Sequence, residues 1–297
     1  MAIEKERLFP YILLIITCLL WGLAWAVGRL LAVQLPPIST AVIRYTIVVL
    51  LFFMILKSRE KSISIPKEWL KPFFLMGLFS VALYQAFFLF GVKYTAASDA
   101  SLVIGVGPVL IAFMAALFLK EKLTKEKVLG LILGFSGIAI ISYFSPNISV
   151  ENRFLGDLLV FGGALVYAIY TILLRDFQIK NRGRNPSSLL IIAWVSFLGW
   201  LIMVPFAFLE QPWNYTWTSD AWLEIAYLAI FSTVIAYWLY VEAVSRIGAG
   251  NSAIFLNLVP VFGVLSSAVI LSEIISIWHL ASFILVFAGV WIANRSR

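Results

Sequence analysis

The sequence predicts an all-α integral membrane protein of ten transmembrane helices, arranged as two inverted five-helix repeats. Three observations support this fold. The 297 residues are 62% hydrophobic and only 12% charged, whereas soluble domains carry about 25% charged residues. Lys and Arg are concentrated in alternate loops between apolar segments. The second half of the chain also resembles the first at an offset of 152 residues.

Ten apolar segments have the length of membrane spans, for which roughly 20 apolar residues are needed. They run over residues 10–32, 37–56, 70–92, 97–119, 127–145, 155–174, 187–209, 221–244, 250–271 and 276–294. The first segment also resembles a secretory signal peptide, because charges precede it and Ala24-Trp25-Ala26 forms a small-x-small triplet. Its apolar run continues past Ala26, which favours a spanning helix.

The basic residues predict the orientation of these helices. Eighteen of the 22 Lys and Arg residues lie in the two termini and alternate loops, whereas the other set of loops holds only Lys93 and Arg153. Cytoplasmic loops carry this excess, so we expect a cell-membrane protein with both termini in the cytoplasm. The basic residues form no nucleic-acid-binding motif. With one cysteine, Cys18, and one histidine, His279, no disulfide within the chain, metal site or cofactor is expected.

The internal repeat pairs helices 1–5 with helices 6–10. At the 152-residue offset, Phe79-Ser80 falls on Phe231-Ser232, Pro108 on Pro260 and Gly137 on Gly289. We therefore place the repeats at residues 1–147 and 148–297. Because five is odd, the second repeat enters the membrane from the opposite side. Proteins of this architecture bind substrates near the membrane midplane, between the repeats.

Several short motifs resemble those of EamA-type proteins of the drug/metabolite transporter superfamily. Residues 117–124, Leu-Phe-Leu-Lys-Glu-Lys-Leu-Thr, resemble the end of that family's fourth helix, and residues 258–263 and 271–273 resemble the same element in the second repeat. Leu20-Trp21-Gly22 fits the first helix. The chain departs at Ile274, which follows Glu273 where a basic residue follows Glu121. The resemblance implies export of amino acids, other metabolites or toxic compounds through a cavity walled by helices 1, 3, 4, 6, 8 and 9.

Candidate substrate-binding residues are polar or aromatic, near mid-span, and share helical faces at i, i+3, i+4 or i+7 spacing. They are Trp21, Trp25, Ser80, Tyr84, Ser101, Tyr167, Tyr170, Tyr237 and Asn257. Lipid exposure and ordinary interhelical packing are the alternatives for each of them. Gln85 is a weaker candidate, because a regular helix turns it about 100° from Tyr84. Pro108 and Pro260 are expected to kink helices 4 and 9.

A few charged residues are candidates for gating or electrostatic roles. Arg29 and Arg44 fall in the predicted outer parts of their spans, where they could attract an anion, hold a gate, or reach the surface. Asp99 and Glu242 lie at an outer and an inner helix end, and His279 is expected at the outer interface. No carboxylate lies near mid-span. This favours facilitated transport or exchange, or proton coupling through a terminal carboxylate such as Glu242.

These observations predict a secondary transporter that moves a small neutral or zwitterionic metabolite, such as an amino acid, or a drug by alternating access, as an exporter. A channel or structural membrane protein is an alternative. A membrane-embedded enzyme is disfavoured, because the sequence has one histidine and no HExxH or GxSxG motif. The expected partners are the substrate and the lipid bilayer. The oligomeric state stays open, because Gly130, Gly134 and Gly137 could pack a neighbouring helix or another protomer.

Overall fold

The computed structural model describes residues 2–60, 62–119, 123–147, 150–184, 186–248, 252 and 255–294. Within these ranges the chain forms the ten predicted helices. They are α1 (Ala2–Gln34), α2 (Pro37–Arg59), α3 (Lys67–Tyr94), α4 (Ala97–Phe118), α5 (Lys125–Phe144), α6 (Arg153–Lys180), α7 (Ser188–Leu209), α8 (Ser219–Ile247), α9 (Leu258–Leu271) and α10 (Ile277–Asn294). The start predicted for helix 9, including Gly250 and Ala253, lies outside the described residues, as does the Lys120-Glu121-Lys122 part of the motif.

The surface of the bundle is apolar, as an integral membrane protein requires. Eight helices are long and apolar enough to cross a bilayer, and α9 and α10 are shorter apolar helices. Large apolar side chains such as Leu50, Phe208 and Val269 are exposed on the outside. The prediction for the sixth helix was too short, because α6 continues past Arg175 to Lys180. An i, i+4 ion pair between Asp176 and Lys180 supports this polar extension.

Two pairs of equivalent helices, α2 with α7 and α5 with α10, pack against each other and run in opposite directions. Glu210, just after α7, binds Ser39 at the start of α2. At the other end of the same pair, Ser187 before α7 donates a hydrogen bond to Glu60 after α2. Helices α5 and α10 form a second such pair, in which Gly130 lies against Gly289.

The α5–α10 contact depends on glycine. A Cβ atom on Gly130 would lie 2.6 Å from the carbonyl oxygen of Gly289, and a Cβ on Gly289 would lie 2.6 Å from that of Gly130. Gly137 similarly lies against Ser282 and Val286 of α10. Small residues allow this close backbone approach. The glycines at these positions therefore serve packing within one chain, which was one of the two alternatives that the sequence left open.

Three helices contain breaks in their regular geometry, and a turn precedes a fourth. In α3 the segment Leu78–Leu83 is π-helical, and in α8 the segment Tyr227–Ile235 occupies the equivalent position. Helix α4 narrows to a 3₁₀ turn at Ile104–Val106, just before Pro108. A turn at residues 256–257 precedes α9, which has Pro260 in its first turn. π-helical turns occur frequently at functional sites, and both π-helical segments lie near the middle of their helices.

Candidate functional site

Tyrosine side chains from four helices converge between the two halves of the bundle. The rings of Tyr84 (α3) and Tyr167 (α6) lie 5.6 Å apart, and those of Tyr167 and Tyr170 lie 5.5 Å apart. Tyr167 also lies within electrostatic reach of three further tyrosines. We call this region the tyrosine cleft; it consists of Tyr45, Tyr84, Tyr167, Tyr170, Tyr237 and Tyr240.

The tyrosine cleft is partly exposed at the surface of the bundle. Tyr167 is 44% exposed although it is packed against other tyrosine rings. Tyr84, Tyr170 and Tyr237 are each partly exposed. A tyrosine ring offers apolar contact area, and its hydroxyl can both donate and accept a hydrogen bond. The exposed parts of these rings can therefore contact an organic solute that carries both apolar and polar groups.

A network of polar side chains closes the distal end, which is the end of the bundle opposite the N-terminus. Glu273 after α9 accepts hydrogen bonds from the backbone amides of Ala97 and Ser98 in the first turn of α4, both at 2.9 Å. Arg29 of α1 lies 3.7 Å from Glu273 and donates a 2.7 Å hydrogen bond to the carbonyl of Val92 in α3. Four helices are thereby joined at this end.

Asp99 forms the second part of the distal network and is fully buried. Its carboxylate lies 3.1 Å from Nε2 of His279 in α10 and 3.5 Å from Nε of Arg153 in α6. It also accepts a 3.0 Å hydrogen bond from Ser145. Asp157, buried nearby in α6, accepts hydrogen bonds from the hydroxyls of Thr95 at 2.7 Å and Ser142 at 2.5 Å. Asp157 was not among the sequence candidates.

Arg44 lies deep in the bundle, at the edge of the tyrosine cleft. Its guanidinium donates a 2.9 Å hydrogen bond to Oε1 of Gln85 and a 2.8 Å hydrogen bond to Oγ1 of Thr233. The prediction that Arg44 could reach the surface is wrong, because its side chain is buried. Gln85 was ranked too low, since it contacts Arg44 and donates a 3.2 Å hydrogen bond to the Tyr45 hydroxyl.

Two candidate residues lie in helix packing in this conformation and not in the cleft. Trp25 is buried, with its ring edge-on to Phe88 at 5.0 Å. Ser101 is fully buried and donates a 2.8 Å hydrogen bond to the carbonyl of Ser98. The packing alternative therefore describes these two positions in this conformation. Ser80 is partly exposed and donates a hydrogen bond to the Met76 carbonyl of its own helix.

Trp21 of α1 contacts the tyrosine cleft, whereas Asn257 in the turn before α9 lies elsewhere. The Trp21 indole donates a 2.9 Å hydrogen bond to the carbonyl of Ser232 in the π-helical segment of α8, and its ring lies 5.5 Å from that of Tyr240. Asn257 lies in a small crevice between α4, α9 and α10, which Gly105 and Pro260 also line. The structure thus joins Trp21 to the cleft tyrosines and places Asn257 in a different crevice.

Two further charged or titratable residues have partners that the sequence did not predict. Glu242, near the end of α8, forms an i, i+4 ion pair with Arg246 at 2.6 Å. This ion pair lies within one helix and does not connect α8 to another helix. His279, near the start of α10 at the distal end, is buried and contacts Asp99 and Ser98.

A multi-pass bundle whose two halves have equivalent helices is an architecture of membrane transport proteins. The sequence model of the EamA-like transporter family matches residues 8–143 and 154–295. The chain belongs to the EamA-like transporter family, as its motifs had indicated, and its two repeats are those of that family.

Known proteins support this assignment along the whole chain. An uncharacterized transporter of Archaeoglobus fulgidus is 31% identical over 97% of this chain and 99% of its own length. The uncharacterized transporter YetK of Bacillus subtilis is 26% identical over 98% of this chain and 88% of its own. A protein crystal structure with 19% identity has the same fold, with a TM-score of 0.65 over 97% of this chain and 96% of that one.

Proposed function

We propose that this protein is a secondary transporter that exports a small neutral or zwitterionic metabolite, such as an amino acid or a related compound, by alternating access. The observation that carries the proposal is the tyrosine cleft, which is partly exposed and bordered by both halves of the bundle. Among the described residues, Arg44 is the one cation in contact with this region. Binding a phosphorylated compound would call for several cations, so the cleft favours a substrate with little net charge.

The closed distal end and the partly exposed cleft support alternating access. In this conformation Arg29 and Glu273 hold the distal ends of α1, α4 and α9 together, and Asp99 connects α4 to α6 and α10. The equivalent helices α2 and α7, like α5 and α10, run antiparallel and pack against each other. Two inverted copies can exchange their conformations, which would open the distal end and close the other. The distal network would then act as the gate on one side.

Counterflow in proteoliposomes tests the proposed function. Vesicles that contain purified protein and an unlabelled amino acid are expected to accumulate the labelled amino acid transiently and saturably. A panel of amino acids, nucleosides and sugar phosphates would identify the preferred class. Ohmic conductance without counterflow would instead indicate a channel, and a strong preference for sugar phosphates would contradict the proposed substrate class.

Replacing Tyr167 with alanine provides a test at the cleft itself. We expect Tyr167→Ala to raise the KM for counterflow about tenfold, because losing an aromatic contact of roughly 1.4 kcal/mol weakens binding tenfold. Tyr143→Ala is the matched control, because Tyr143 is 81% exposed on the outside of α5. Equal effects of the two substitutions would show that the cleft does not bind the substrate.

We further propose that the distal end is extracellular, that both termini are cytoplasmic in the cell membrane, and that the repeats divide at residues 147 and 148. The basic residues favour this orientation. Cysteine labelling tests it in a Cys18→Ala background, using the exposed positions Asn214 and Lys57. An impermeant maleimide is expected to label Asn214→Cys in intact cells and Lys57→Cys only after permeabilisation. The reverse pattern would overturn the orientation.

A further inference from the structure

Arg44 is a buried cation that lacks a counter-charge within the described part of the chain. It is 6% exposed, and its two side-chain hydrogen bonds go to neutral groups, Gln85 and Thr233. Its Nε atom is buried without a hydrogen-bond partner. The groups that influence it electrostatically are the tyrosines Tyr45, Tyr84 and Tyr227. By contrast, Arg29, Arg153, Arg184 and Arg246 each lie beside a carboxylate.

Burying such a charge is costly. A desolvated ion destabilises a protein by several kcal/mol unless a partner of opposite charge compensates for it. An ionisable group inside a membrane span is therefore a candidate functional site. In Arg44 the guanidinium has five N–H donors in a rigid fork; two of them bind Gln85 and Thr233, and the one on Nε has no partner. The missing partner is expected to be an anion that enters from outside the protein.

The surroundings of Arg44 are suited to a ligand that comes and goes. Thr233 lies within the π-helical segment of α8, and Gln85 lies two residues after the end of the π-helical segment of α3. Arg44 is seven residues into α2, which places it about 10 Å from the distal end of that helix. It therefore contacts both repeats where their helices are irregular. Tyr84, one residue before Gln85, connects this position to the tyrosine cleft.

We propose that Arg44 binds a single carboxylate of the transported substrate, while the rest of the substrate lies among the rings of the tyrosine cleft. This inference rests on the proposed function and narrows its substrate class to carboxylate-bearing compounds such as zwitterionic amino acids. A guanidinium matches the planar geometry of a carboxylate and can bind it with two parallel hydrogen bonds. Gln85 and Thr233 hold the guanidinium in position when the site is empty.

Matched ligands test the inference. The counterflow panel would contain each amino acid together with its amide and its decarboxylated amine, which keep the side chain and remove the carboxylate. We expect the acids to be transported at least tenfold better than both analogues. If amides or amines are transported equally well, the inference fails and the proposed function stands. If nothing in the panel is transported, the proposed function fails and the inference fails with it.

Variants of Arg44 separate binding from folding. Arg44→Gln is expected to lower kcat/KM for the acids roughly 100-fold, the loss typical of removing one partner of a buried charge pair. The same variant should change kcat/KM for the amides less than threefold. Arg44→Lys keeps the positive charge and loses the forked guanidinium. Its kcat/KM for the acids should lie between those of Arg44→Gln and the wild type. Arg59→Gln is the matched control, because Arg59 lies at the exposed end of the same helix.

Thermal melting of the purified variants distinguishes substrate binding by Arg44 from a purely structural role. If Arg44 binds substrate, Arg44→Gln should melt no lower than the wild type without ligand, because it removes an uncompensated buried charge. The acids should raise the Tm of the wild type and of Arg59→Gln, but not that of Arg44→Gln. If Arg44→Gln has a lower Tm than the wild type, and its kcat/KM falls by the same factor for acids and for amides, then Arg44 has a structural role and the inference is overturned.

Discussion

Replacing Glu273 with glutamine is expected to open the distal end and expose a cysteine introduced beneath it at position 101. Glu273 accepts two backbone hydrogen bonds at the start of α4 and a third from the Ser98 hydroxyl at 2.5 Å. A negative charge at this position also favours the helix dipole. Glutamine keeps one acceptor oxygen and loses the charge. Because hydrogen bonds to charged groups contribute about 1.5–3 kcal/mol, opening should become roughly 10- to 100-fold more frequent.

Ser101→Cys in a Cys18→Ala background provides the reporter. Ser101 is fully buried one turn below Ala97 and is close in size to cysteine. We expect an impermeant thiol reagent to label it slowly in that background. Labelling should be 10- to 100-fold faster when Glu273→Gln is added. Counterflow should slow in parallel, because the closed state is needed in every cycle.

Glu210→Gln is the matched control for this experiment. Glu210 accepts backbone hydrogen bonds from Ile38 at 3.0 Å and Ser39 at 2.7 Å, so it holds the start of α2 as Glu273 holds the start of α4. Among the described residues, Arg29 pairs with Glu273 and no cation pairs with Glu210. Labelling of Ser101→Cys should be unchanged in Glu210→Gln. Equal acceleration by both variants would show that loosening any helix end suffices, and that Glu273 is not a specific gate residue.

The sequence predicted the architecture because hydropathy and repetition determine it. Spans of about 20 apolar residues and the 152-residue offset yield ten helices in two repeats without reference to side-chain contacts. The aromatic faces of α3, α6 and α8 were predicted for the same reason, since Tyr84, Tyr167 and Tyr237 follow helical spacing. Hydropathy also predicted that Arg29 lies near the end of its helix, and in the structure it lies five residues before the end of α1.

Side-chain partners could not be predicted, because they depend on how neighbouring helices pack. The spacing argument ranked Gln85 below Tyr84 because a helix turns it about 100° away, but in that direction Gln85 meets Arg44 and Tyr45 of α2. Reaching the surface was one of three alternatives for Arg44, together with attracting an anion and holding a gate, and hydrogen bonds to Gln85 and Thr233 hold its side chain inside. Helical periodicity also assigned Trp25 and Ser101 to a face of their helices, but it did not show which neighbouring helix packs against that face.

Asp99→Asn is expected to destabilise the protein far more than Asp157→Asn, although both carboxylates are almost fully buried. The difference lies in their partners. Asp99 compensates Arg153 and contacts His279, so neutralising it leaves a cation at the distal end without its carboxylate. Asp157 is held by the hydroxyls of Thr95 and Ser142, which can rotate to suit an amide.

We expect the free energy of unfolding, measured by titration with SDS, to fall by about 3 kcal/mol in Asp99→Asn and by less than about 1 kcal/mol in Asp157→Asn. Adding Arg153→Gln to Asp99→Asn should recover part of the loss, because the double variant no longer buries the unpaired cation. Equal losses in the two single variants would mean that burial alone determines the cost. In that case the distal network would hold the helices through hydrogen bonds, and the pairing of Asp99 with Arg153 would contribute nothing specific to the closed state.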